Sequence, residues 1–303
     1  MNKYCRFITA TGFTAALGLA SSSAFASLYL PVNIEHTNDG NNFITEVFNQ
    51  LEFQFLAETT QFGAGPNPVE GDRFEDRGAA RVRDIFEPGD DAPIFDGNVR
   101  NKLGFVWEGL EGQLGAFTSG ATGELTSTSI YDAGAVFTWY YGDTNILWSS
   151  TDVDANVDSV TNDGRGNLVN VLELTLVGGS GSVTFEDDGG VAGDFLRGDY
   201  RFDFRVTGAL EGFWKVGDKD FWDFRDEDTF TFLMTADANA NARNPVISDD
   251  DDALFKVDTG GTGQIGFQAV PEPASLVLLG SGLLLLGGIF GISARRSRQA
   301  ISA

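Results

Sequence analysis

The stretch Tyr200-Arg201-Phe202-Asp203-Phe204-Arg205-Val206 decides the fold class. Apolar and charged residues alternate through it without a break. Successive side chains of a strand point to opposite faces, so the two tyrosine-phenylalanine-valine and arginine-aspartate sets separate onto two sides. Related runs lie on either side of it: LEFQF (51–55), AVFTWY (135–140), LELTL (172–176) and TFTFL (229–233). Between these runs sit Gly-, Asn- and Asp-rich segments. YGDTN (141–145), VGGSGS (177–182), EDDGGVAGD (186–194) and DTGGTGQ (258–264) all read as turns. YGDTN lies between AVFTWY and ILWSS, which predicts a hairpin loop. No stretch holds a 3.6-residue period with caps. The body is therefore expected to be all-β and antiparallel, most simply a β-sandwich or jelly roll.

Residues 27–269 read as a single acidic all-β extracellular domain, a length that class accommodates. The Pro/Gly-rich, charged segment 63–97 reads as a surface loop on that body. WEGLEGQLG (107–115) weakly echoes TGALEGFWKVG (207–217), which either a duplicated strand motif or chance would produce.

The two ends differ from the body. Lys3 and Arg6 make a basic start, Phe7 to Ala20 is largely apolar, and Ala24-Phe25-Ala26 forms a small-x-small site before Ser27. This is the layout of a secretory signal peptide over residues 1–26, cleaved after Ala26. The one cysteine, Cys5, leaves with it, and disulfides and thiolate metal sites leave too. Near the other end Leu276 to Ile292 is uncharged and 17 residues long. At about 1.5 Å per residue it is roughly 25 Å long, near the lower limit for a spanning helix. Arg295, Arg296 and Arg298 follow it as a transmembrane stop, keeping the tail cytoplasmic and the body outside. Without the ends, 15 basic residues face 43 acidic ones. Such a body repels nucleic acid and favours cations.

Residues 270–298 combine Pro271-Glu272-Pro273, the apolar span and the arginine cluster, in that order, behind a chain that begins with an export signal. This trio resembles the PEP-CTERM sorting signal of Gram-negative bacteria that make exopolysaccharide. The resemblance covers about 30 of the 303 residues. It implies export across the inner membrane and a transient stay there. Processing by exosortase near Pro271-Glu272-Pro273 and delivery to the cell surface or extracellular matrix would follow. The resemblance says nothing direct about the body; the reading built on the two ends is a structural or adhesive role in exopolysaccharide, biofilm or floc formation.

Within the body, chemistry-bearing motifs are sparse. His36 is the only histidine, lies in a polar stretch and has no Gly-x-Ser-x-Gly elbow to serve, so it reads as a solvated loop residue. Asp152, Asp154, Asn156 and Asp158 alternate as an EF-hand loop begins, with Asp163 at the twelfth place. Val157 then occupies the position that wants glycine. They are candidates for an irregular calcium site, Ca2+ being the one cofactor the composition suggests. Trp214 and Trp222, in GFWKVGDKDFWDF (212–224), are candidates for sugar contact, with core packing as the competing reading. The alternation places Trp222 and Phe224 together and Phe221 opposite. Paired carboxylates for a glycan hydrolase are not distinguished by any motif. The expectation is a non-enzymatic protein, with a calcium-dependent carbohydrate-binding module as the alternative and a hydrolase behind it.

Overall fold

The computed structural model describes residues 32–36, 42–63, 68–87, 92–120, 123–161, 168–187, 189–190, 192–224, 231–246 and 255–266. The elements in chain order are β1 (Val32–His36), β2 (Phe43–Ile44), β3 (Gln50–Phe62), β4 (Arg73–Phe86) and β5 (Pro93–Ile94). There follow β6 (Leu103–Ser119), β7 (Glu124–Tyr131), β8 (Val136–Tyr141), helix α1 (Val153–Thr161), β9 (Val169–Asp187) and β10 (Ala192–Ala209). The last are β11 (Trp214–Val216), β12 (Lys219–Asp220), a 3-10 turn (Phe221–Phe224), β13 (Thr231–Val246) and β14 (Phe255–Gly266). The signal peptide, with Ala24 and Ala26, and the sorting segment 270–298 lie outside the described residues.

The expected antiparallel all-β body is present, and its pairing closes on itself. β3 pairs with β4, β4 with β6, and β6 with both β7 and β8. β7 and β8 each pair with β9, which pairs with β10. β10 pairs with β13, β13 with β14, and β14 returns to β3. β7 and β8 lie end to end in one strand position, the first beside Gly112–Ser119 of β6 and the second beside Leu103–Glu108. Eight strand positions thus make a closed up-and-down barrel. Opposite walls face each other across one core, as the layers of a sandwich do. The next-neighbour order lacks the Greek-key crossings of a jelly roll among the described strands. Closure leaves no unpaired main wall, which suits a body with no disulfide to hold an edge shut.

Alternation sorts the wall. Leu51, Phe53, Phe55, Phe105, Trp139 and Phe204 are buried in one continuous core. Glu52, Gln54, Arg81, Glu173, Arg201 and Arg205 occupy the intervening, more exposed positions. These described outward positions carry charged and amide side chains where a lipid-facing barrel carries apolar ones. A small sheet in the order β12-β11-β1-β2 covers one end. Trp214 of β11 meets Trp139 edge-on at 5.7 Å and stacks on Phe221 at 5.7 Å. Each such buried ring contributes on the order of 3 kcal/mol. His36 is enclosed here with Phe43, Tyr141 and Phe213 at 5.5, 5.1 and 6.1 Å, not solvated, because β1 carries it under the cap.

Several local expectations are corrected by long-range packing. VGGSGS lies inside β9, where an added Cβ at Gly179 would come within 2.7 Å of the Phe202 ring and one at Gly181 within 2.8 Å of Tyr200. The glycines seat aromatic rings from the next strand. DTGGTGQ lies inside β14, and the supposed loop 63–97 contains the whole of β4. After β8 the chain leads not into a hairpin strand but into α1, which packs Val160 against Ala79, Val106 and Ile146 on the barrel's outside. The two echoing segments differ: 107–115 runs within β6, while 207–217 leaves β10, turns at Gly212 and enters β11.

Candidate functional site

The inner wall changes character along the barrel. Toward the capped end Phe105 stacks on Trp139 at 4.4 Å, Phe137 meets Phe204 at 4.7 Å, and both Trp139 and Phe204 are 1 % exposed or less. Past that level a polar belt crosses the inner wall, with Thr59 on β3, Asp76 on β4, Ser129 and Tyr131 on β7 and Tyr200 on β10, before Leu114, Leu125 and Phe185 make it apolar again.

The alternation of β4 carries Asp76 to this place, since Phe74, Gly78, Ala80 and Val82 share its parity and are buried. Gly78 is required beside it. A Cβ there would stand 2.4 Å from Trp107 Cζ2 and 2.6 Å from the Leu56 carbonyl oxygen. With that space free, the Trp107 indole lies across β4 and its Nε1–H donates to Asp76 Oδ1. Thr59 Oγ1 donates to Asp76 Oδ2 at 2.6 Å. Two donors from two neighbouring strands thus fix one carboxyl.

Two phenol rings, of Tyr131 and Tyr200, lie within reach of its charge. Tyr131 meets Phe74 at 5.3 Å, Phe202 at 4.9 Å and Tyr200 at 5.9 Å, each edge to face. Tyr200 stacks over Phe202 at 6.0 Å. The Ser129 hydroxyl is buried and makes no hydrogen bond of good geometry. Closer to the barrel's end, Gln61 Nε2 donates to Asp72 Oδ2 at 2.6 Å, and the Val69 amide donates to the same oxygen at 2.9 Å.

Burial dominates the electrostatics. It pushes the Asp76 carboxyl up to about 6, against the lowering effect of the Thr59 and Trp107 hydrogen bonds and with a smaller push from the Glu58 charge. Burial likewise holds the Tyr131 and Tyr200 phenols above their ordinary range, with Tyr200 the next cause at Tyr131 and Asp76 the next at Tyr200. Asp76 is therefore a carboxylate at neutral pH that protonates under mild acid.

The residues singled out from sequence are dispersed. Asp152 caps α1, its Oδ1 accepting from the Ala155 amide at 2.9 Å. Asp154 pairs with Arg77 at 3.0 Å, and Asp158 is exposed. Asn156 is wholly buried, accepting from the Ser149 amide at 2.7 Å and donating to the Ser149 carbonyl at 2.9 Å. A spacing of two fans side chains around a helix, so these four do not converge. Asp163 lies outside the described residues. Among those residues no three His, Cys, Asp or Glu side chains gather as a metal site requires.

Trp214 is 0 % exposed and Trp222 is 38 % exposed. The first is core and only the second presents a face outward. The 3-10 turn, not a strand, sets this: it buries Phe221 and Phe224 and leaves Trp222 outside. Pro271, Glu272, Pro273, Arg295, Arg296 and Arg298 lie outside the described residues. Among those residues no helix is long and apolar enough to cross a membrane.

Asp76, Trp107, Tyr131 and Tyr200 were not found from sequence. The only signal is the parity of Asp76 with Phe74 and Val82 in RFEDRGAARV, which 44 acidic residues in the chain easily hide. Neither protein-family models nor curated proteins match this chain.

Proposed function

We propose that this chain is an exported protein, sorted by exosortase, whose acidic body serves a structural or adhesive role at the cell surface or in an exopolysaccharide matrix. The observation that carries this is the ordered C-terminal set of Pro271-Glu272-Pro273, the apolar span 276–292 and Arg295, Arg296 and Arg298 behind an N-terminal export signal. A barrel with a charged outside and no disulfide to form fits work in a wet, oxidising or reducing exterior alike. The body's excess of acidic residues, 43 against 15 basic ones, gives it affinity for cations that lie between acidic chains. Of the two sugar-contact candidates, Trp222 supports that role by its exposure.

Mass spectrometry of the C-terminus, on protein recovered from culture matrix, tests the proposal. The expected product ends near Pro271-Glu272-Pro273 with the apolar span removed. Recovery of an intact 276–298 tail in the inner membrane would refute the sorting and with it the matrix role.

A further inference from the structure

We infer that the polar belt of the barrel interior around Asp76 is a binding site for a small organic ammonium compound, its cationic nitrogen against Asp76 and its apolar body toward Leu114, Leu125 and Phe185. The inference goes beyond the matrix role and stands without it.

Space is the first argument. An eight-stranded barrel is just wide enough to be filled by side chains or to hold one small ligand. The capped half is filled. In the other half Thr59, Asp76 and Tyr200 point inward yet keep accessible surface. The glycines at 179 and 181 draw the Phe202 and Tyr200 rings back against the wall, which widens the interior at this level.

Charge is the second. Asp76 is held by Thr59 and Trp107 in one orientation, and among the described residues no lysine or arginine forms an ion pair with it. The charged neighbour that bears on it, Glu58, has the same sign. A buried carboxylate in this setting costs stability that a cationic ligand would return. An anionic ligand is repelled. A hard metal ion would find one carboxylate where it needs six or more oxygens.

The rings are the third. Tyr131 and Tyr200 lie within reach of the Asp76 charge, and an ammonium group over the face of either ring is held by cation–π attraction. Farther from the cap Leu114, Leu125 and Phe185 are buried on the inner wall and give an apolar body apolar neighbours. A neutral sugar is less well matched, because the Thr59 and Trp107 donors are already committed to Asp76.

The test is calorimetric titration of the full mature chain with tetramethylammonium, phenethylammonium and hexylammonium chlorides. Phenylethanol and hexanol serve as neutral counterparts. At pH 7.5 at least one ammonium compound should saturate with Kd below about 1 mM and bind at least about tenfold tighter than its alcohol. Asp76→Asn should abolish that preference. Should this variant not fold, pH supplies the same information on the wild-type chain: affinity should fall about tenfold between pH 7.5 and pH 5 as Asp76 protonates. Glu58, on the outer side of β3, shifts this titration, while the Tyr131 and Tyr200 phenols stay protonated through it. No saturation by any of the three, equal binding of amine and alcohol, or a preference that survives both Asp76→Asn and pH 5 would overturn the inference.

Discussion

The two halves of the barrel share the same strands and the same alternation, and they differ in what the inward positions carry. At the capped half, Trp139, Phe105, Phe204 and Trp214 interlock with almost no exposed surface. At the other half, Thr59, Asp76, Ser129 and Tyr200 bring polar atoms inward, and the rings of Trp107, Phe202 and Tyr200 lie over glycines at 78, 179 and 181. One half is built to be filled. The other accepts a carboxylate whose burial works against folding. Apolar packing is thus densest toward the cap, where it offsets the cost of burying the Asp76 carboxyl farther along the same strands.

The largest break of this contrast should come from Trp214→Ala. It removes a wholly buried ring between Trp139, Phe48 and Phe221, and unfolding in urea should show a loss of about 3–5 kcal/mol. A loss under 1 kcal/mol would mean the cap is not part of the core.

Asp76→Asn should act in the opposite direction. The amide oxygen can still accept from one donor, while the buried charge is gone, so stability at pH 7.5 should rise by on the order of 2 kcal/mol. The pH dependence has a defined sign. With its folded pKa raised from 3.8 to about 6, Asp76 favours folding fully below pH 3.8, and that benefit is lost as pH rises through 6. Wild-type stability minus that of the variant should therefore fall across pH 4–6, as urea denaturation in a pH series would measure. A flat difference would place Asp76 in water.

The smallest effect should belong to Trp222→Ala, about 1 kcal/mol, since more than a third of its surface is exposed while Trp214 has none. Sharing the same short segment with Trp214, it sharpens the contrast between core and surface within a few residues. The same variant, if retention on purified exopolysaccharide falls while stability holds, marks Trp222 as a sugar contact.

Much of the wall was legible in the sequence because alternation is a local property. YRFDFRV and AVFTWY lie in β10 and β8 with the faces their patterns required. β4 was not legible, for its inner face is Phe74, Asp76, Gly78, Ala80 and Val82, too small and too polar to alternate visibly with arginines. The candidate site was illegible for the same reason. Its carboxylate is one among 44 acidic residues, and only pairing with β3 and β6 distinguishes it.

By itself the sequence determined the antiparallel β class, since alternation is a property of residues near one another in the chain, and the excess of acidic residues, which is a sum over composition. The tertiary structure alone decided that VGGSGS and DTGGTGQ are strands and not turns. A glycine run is read as a turn when nothing lies over it, and as a wall when rings such as Phe202 and Tyr200 do. Closure of β14 onto β3 was likewise a tertiary decision, because it joins residues about 200 positions apart whose pairing no local pattern encodes.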